Sequence, residues 1–201
     1  METLIRDTAR QLFFSYGLKS ISMDDVARQC GISKKTLYLH YHDREALVDS
    51  VLRTLLEEQQ AALATVRREA ANAVEECALS LHEPFELWAQ VNRGFYYDLE
   101  KSFPQAWKRL NTHAGKILKG AVEANLVRGL NERIYRPGLP LGFCADLRLQ
   151  QLRTALAPEN FGDGRSAPLP LMQSLTLFYL QSVTNEKGRK LIPNYFNENY
   201  E

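Results

Sequence analysis

Apolar side chains recur at spacings of three and four residues along nearly the whole chain, and no segment alternates apolar and polar residues as a half-buried strand would. That pattern leaves helix packed on helix as the way to bury them. The first stripe is Ile5, Ala9, Leu12 and Tyr16, widened by Phe13 and ended at Gly17. Ser22 is a cap for a short helix holding Val26 and Ala27, with Asp24 and Asp25 in its first turn, and the helix stops at Gly31. Ser33 opens a second short helix carrying Leu37, Tyr38 and Tyr41, and Asp43 begins a longer one with Leu47, Val51, Leu52 and Leu55 inside. Pro84 and Pro104 each suit the first turn of a helix. The first of these carries Phe85, Trp88, Asn92, Phe95, Tyr96 and Leu99 on one stripe, the second Trp107, Leu110, Ala114, Ile117, Leu118 and Ala121. A helix is expected over residues 141–156, a loop over 157–170 with its Pro and Gly residues, and a last helix from Leu171 to Val183 that is apolar on more than one face. The fold class is all-α.

Composition narrows the function. The chain has 201 residues, 45% hydrophobic and 24% charged, which describes a globular chain of one domain or a small domain joined to a medium one. No apolar run is long enough to span a bilayer, and the N-terminus lacks the apolar stretch of a secretory signal. Three well-separated cysteines argue against a disulfide framework and fit a reducing compartment, so a cytoplasmic location is expected. A net charge of +1 excludes a uniformly basic nucleic-acid binder, yet residues 28–44 hold Arg28, Lys34, Lys35 and Arg44 against Asp43 alone. A local anionic partner and a merely solvated basic face both fit that bias.

The segment from Ser22 to Tyr41 is the most informative. It is a short helix, a turn containing Gly31 and a second short helix, a unit able to put its second helix into a DNA major groove. Lys34 and Lys35 reach guanine acceptors or phosphates, Thr36 a thymine methyl or phosphate, and Tyr38 and His40 donate to phosphates. Arg44 adds a charge-assisted phosphate bond. The alternative is a pair of ordinary packed helices.

The run Ile21-Ser-Met-Asp-Asp-Val-Ala-Arg-Gln-Cys-Gly-Ile-Ser-Lys-Lys-Thr-Leu-Tyr-Leu-His-Tyr-His-Asp-Arg-Glu-Ala-Leu-Val closely resembles the DNA-binding signature of the tetracycline-repressor (TetR/AcrR) family, and the first helix ending at Tyr16-Gly17 matches as well. The resemblance implies a helix-turn-helix DNA-binding domain over residues 1–52 and a larger helical ligand-binding and dimerisation domain over 53–201. By it, Thr36, Tyr38, Tyr41 and Arg44 would anchor phosphates, and Lys34, Lys35, Leu39 and His40 would lie nearest the bases. The cap serines Ser22 and Ser33 complete the candidate set. Arg44 stands where a lysine is expected and keeps the charge. Met23 and Asp24 open the preceding helix with less DNA-friendly groups than the Thr and Arg of some members. The resemblance also implies a homodimer through residues 141–156 and 170–186, and a small-molecule effector whose identity it does not give.

The aromatic stripes give a candidate ligand site. Trp88, Asn92, Tyr96 and Trp107 are expected to bound a largely apolar cavity, with Asn92 orienting a polar atom and His113 at its flank. A filled core is the alternative. No metal site is expected, because His40 and His42 diverge and His82 and His113 lack nearby ligands. Cys30 reads as a small core residue. No nucleophile elbow, phosphate loop or metal motif supports catalysis, so neither an enzyme nor a cofactor is expected. The reading is a transcriptional regulator, a repressor released from a near-palindromic operator by a small, largely apolar ligand and making no membrane contact. The alternative is a helical DNA-binding dimer or binding protein without an inducer.

Overall fold

The computed structural model describes residues 1–82, 85–89, 91, 94–156 and 167–196. Among these residues the chain is helical, and its one extended pairing is an isolated antiparallel bridge between Tyr135 and Thr184. Pro84, Asn92 and residues 157–166 of the expected loop lie outside the described residues.

The helices are α1 (Glu2–Tyr16), α2 (Met23–Gln29), α3 (Lys34–His40), α4 (Arg44–Glu69), α5 (Ala73–Leu79), α6 (Phe85–Ala89), α7 (Gly94–Ser102) and α8 (Pro104–His113). After a π-helical turn (Ala114–Leu118) come α9 (Lys119–Asn131), α10 (Leu141–Leu156), α11 (Pro168–Val183) and α12 (Glu186–Arg189). The chain divides into two compact units, Met1–Glu58 with Gln90–His113, and Gln59–Ala89 with Ala114–Glu201. The sequence places a boundary at residue 52. In the structure α4 runs on through residues 58 and 59, and α7 and α8 join the N-terminal helices.

In the first unit the α1 stripe narrows to Ile5, Ala9 and Phe13, which are buried, while Tyr16 is exposed. The core also takes Leu18, Val26, Leu37, Leu47, Leu52, Phe95 and Leu99. Polar ties fix α7 and α8 to these helices. The Lys19 amide donates to Asp98 Oδ2 at 3.0 Å, and Arg109 grips Asp49 through Nε at 2.7 Å and Nη2 at 3.1 Å.

In the second unit α10 packs on both α9 and α11, and α5 packs on α9. Its core holds Val74, Leu126, Tyr135, Ala145, Met172 and Leu180. The stripe expected from Phe85 to Leu99 is not one helix. Gly94, which would cost about 1 kcal/mol in a helix interior, instead opens α7, and α6 and α7 belong to different units.

Candidate nucleic-acid interface and internal cavity

The turn between α2 and α3 is built by local chemistry. Ser22 Oγ accepts from the Asp25 amide at 3.2 Å and the Asp25 carboxylate accepts from the Ser22 amide at 2.9 Å, a reciprocal capping box. The Ser22 hydroxyl and amide bonds hold the Asp25 carboxyl below its ordinary pKa. Gly31 takes φ +67°, a left-handed conformation that costs a Cβ-bearing residue about 1 kcal/mol, and the Ile32 amide closes the turn on Ala27 O at 3.0 Å. Ser33 Oγ then caps α3 by accepting from the Thr36 amide at 3.0 Å.

With Val26, Ala27 and Leu37 buried, α3 presents Lys34, Lys35, Tyr38, Leu39 and His40 to solvent. Leu39 is 77% exposed, a state that intramolecular packing does not explain. Lys34 is paired with Asp24 across the turn at 2.8 Å, and its hydrogen bond to that carboxylate raises its pKa. The remaining candidates have partners within the chain. Ser22 and Ser33 serve the caps, and the Thr36 hydroxyl lies 2.8 Å from that of Ser33. Tyr41 is buried with its hydroxyl 3.2 Å from Ser50 Oγ. The Arg44 guanidinium sits 5.4 Å from the centre of the Phe103 ring, and burial lowers its pKa.

The second unit contains a partly open cavity of about 260 Å³, lined wholly by its own residues. Its walls come from the C-terminal half of α4 (Gln59, Leu63, Val66), from α6 (Phe85, Trp88), and from the π-helical turn and α9 (Ile117, Leu118, Val122). Residues from α10 (Arg148, Leu152) and α11 (Tyr179) complete them. Two polar clusters touch the cavity. In one, the Tyr135 hydroxyl donates to Asn125 Oδ1 at 2.9 Å, and Asn125 Nδ2 donates to Ala73 O at 3.0 Å. Beside it burial pushes the Cys77 thiol up to about 11. In the other, Arg148 donates to Thr176 Oγ1 at 2.7 Å and to Gln151 Oε1 at 3.2 Å, with its guanidinium 5.0 Å from the centre of the Tyr179 ring.

Of the residues expected to line a pocket, Trp88 is in the cavity wall. Tyr96, Trp107 and His113 belong to the first unit, and Asn92 lies outside the described residues. The sequence does not point to Arg148, Tyr179 or Asn125 as ligand-site residues; Tyr179 is expected only on the apolar faces of the last long helix. A signal for the first was present: Arg148 falls on the stripe of Cys144, Ala145 and Leu149, a charge on the buried face of α10.

The profile described as "Bacterial regulatory proteins, tetR family" matches residues 5–51. The HTH-type transcriptional regulator UidR of Escherichia coli K12 is 38% identical over 65 residues, and the match covers 32% of this chain and 32% of UidR. The chain thus spans about a third of the length of that curated relative. The fold extends further. A TetR-family transcriptional regulator from Agrobacterium tumefaciens superposes with a TM-score of 0.72 over 92% of this chain and 97% of that one, at 16% identity. FadR from Bacillus subtilis, solved with stearoyl-CoA, gives 0.69 over 89% and 97%, at 17% identity. Helix order, both serine caps and the left-handed turn glycine fall within the matched residues 5–51, and over that segment the chain is similar to the tetR family of bacterial regulatory proteins.

Proposed function

We propose that this protein is a cytoplasmic DNA-binding transcriptional regulator, a homodimeric repressor that a small, largely apolar ligand releases from a near-palindromic operator. The observation that carries the reading is α3: it is capped at Ser33 and anchored by buried Leu37, and its opposite side is a solvated row of Lys34, Lys35, Tyr38, Leu39 and His40. Two such helices, one from each copy, enter successive major grooves about 34 Å apart. Lys34, Lys35, Leu39 and His40 read bases. Tyr38 and Thr36 hold phosphates, as do Tyr41 and Arg44 once they turn outward, while Ser22 and Ser33 keep the helices in place.

The cavity supports the effector. Core packing alone leaves few voids larger than a water, so an apolar space of this size favours a binding site over a filled core. Two helical runs carry its wall residues and continue into the first unit: α4, and α8 with the π-helical turn and α9. A ligand that binds one arrangement of these helices better than another shifts DNA affinity by that difference. That UidR is a transcriptional regulator, and that FadR was solved with an acyl-CoA, supports both halves of the proposal.

The test is operator selection from a random DNA pool, followed by binding of variants. The Lys34→Ala/Lys35→Ala double variant should lose at least about tenfold in affinity for the selected site and keep its helix content and dimer. Unchanged affinity in that variant would refute the assignment of α3.

A further inference from the structure

We propose that the effector is an organic anion, an apolar body ending in a carboxylate, and that Arg148 is the residue that selects it. This inference rests on the reading of the cavity as the effector site and adds the chemistry of its ligand.

Arg148 is 4% exposed, yet among the described residues it makes no ion pair. Its acceptors are the neutral oxygens of Gln151 and Thr176. A guanidinium taken out of water without a carboxylate is costly, and a protein keeps one where something else supplies the counter-charge. Arg148 stands in the cavity wall, where a bound molecule can reach it. The carboxylate that shares the wall, Glu76, is already held by Arg128 at 2.8 Å. Arg67, the other cation of the lining, is exposed.

Tyr179 is the second, independent sign. It is 2% exposed and lines the same cavity, and among the described residues its hydroxyl has no hydrogen-bond partner. Burial raises its pKa, so the hydroxyl keeps its proton and acts as a donor. Its ring supports the guanidinium at 5.0 Å and fixes the plane of the fork. Arginine in that setting matches a carboxylate with two parallel N–H bonds, and the tyrosine hydroxyl adds a third donor. Leu63, Phe85, Trp88, Ile117 and Leu152 accommodate the apolar body. A neutral ligand would leave the charge unmatched, and a cation would be repelled.

The test compares acids with amides of the same shape: decanoate with decanamide, and indole-3-acetate with its amide, with decylamine as the cationic probe. Binding to the full chain is followed by calorimetry and by Trp88 fluorescence in a Trp107→Phe background. At least one acid should bind about tenfold or more tighter than its amide, the scale of a charge-assisted hydrogen bond. In Arg148→Gln that preference should vanish while amide binding changes little. Arg148→Met should melt no lower than the wild type, because it removes a buried unpaired charge; a purely structural arginine would lower the melting temperature. Amides or decylamine binding as well as the acids would overturn the anion assignment and leave the cavity as an effector site. No probe of any charge binding would overturn both.

Discussion

At the residue scale, the caps and the turn glycine were legible because their chemistry is local: a serine, its third neighbour and one left-handed residue decide the geometry. Tyr41 and Arg44 were not, because their partners lie elsewhere in the sequence, at Ser50 and Phe103. The Lys34–Asp24 pair places an anion beside the expected DNA face. Asp24→Asn should free Lys34 and remove a repulsion against phosphate, raising affinity a few-fold at low salt and steepening the salt dependence. Equal affinities and equal salt slopes for the two proteins would show that Lys34 does not reach the DNA. Asp49 gives a pH test. Burial raises its carboxyl pKa, but hydrogen bonds from Arg109 and Arg53 outweigh that and leave it lowered. Its contribution to stability is therefore present above the unfolded value of about 3.9 and is lost as pH falls through the lower folded value. Arg109→Gln should cost up to about 1 kcal/mol in urea unfolding at pH 6, and that cost should shrink as pH falls progressively below about 3.9. A cost independent of pH would mean the pair acts through packing.

At the element scale, the helix over residues 141–156 is read from the sequence with the bounds that the structure gives, because turn residues bracket it in the sequence, Pro137, Gly138 and Pro140 before it and Pro158 after it. The continuous stripe from Phe85 to Leu99 misled, since helical spacing persists across α6 and α7 although they end in different units. The π-helical turn at Ala114–Leu118 leaves no mark in apolar spacing, yet two of its residues line the cavity. The end of α9 offers a contrast between two glycines on one helix. At Gly129 an added Cβ would overlap the Tyr135 ring, which folds back as the Ile134 and Tyr135 amides both donate to Gly129 O. Tyr135 in turn holds Asn125 and the Ala73 carbonyl at the cavity. Gly129→Ala should destabilise the protein by about 1–3 kcal/mol. Gly120→Ala, which meets nothing within 4 Å, should be neutral or stabilising by up to about 1 kcal/mol. Thermal or urea unfolding of the two variants side by side checks the difference, and equal effects would mean the Tyr135 ring moves freely.

At the scale of the whole molecule, the apolar surface bears on the proposed dimer. In α10 and α11 the buried positions, among them Cys144, Leu149, Met172 and Tyr179, serve the chain's own core. Phe143 is 66% exposed and Phe178 is 65% exposed, with Leu147 one turn along α10 from Phe143 and also exposed. Large apolar side chains left outward on two helices that pack against each other call for a partner. The segments proposed for the dimer, residues 141–156 and 170–186, contain all three. A second copy presenting the same helices about a two-fold axis would cover like with like, as a closed symmetric pair requires. Full burial of each such side chain is worth about 1.5–3 kcal/mol, and a charge there leaves an unpaired carboxylate in the interface. Phe178→Glu should therefore sediment as a monomer at micromolar concentration, with unchanged helix content because the side chain is mostly exposed in the single chain. Its operator affinity should fall at least about a hundredfold, since a single α3 then meets a single half-site. Val127→Glu, on the exposed face of α9, should remain dimeric and bind DNA normally. If a Phe143→Glu/Phe178→Glu double variant still sedimented as a dimer, α10 and α11 could not form the interface, and their exposed aromatic side chains would need another partner.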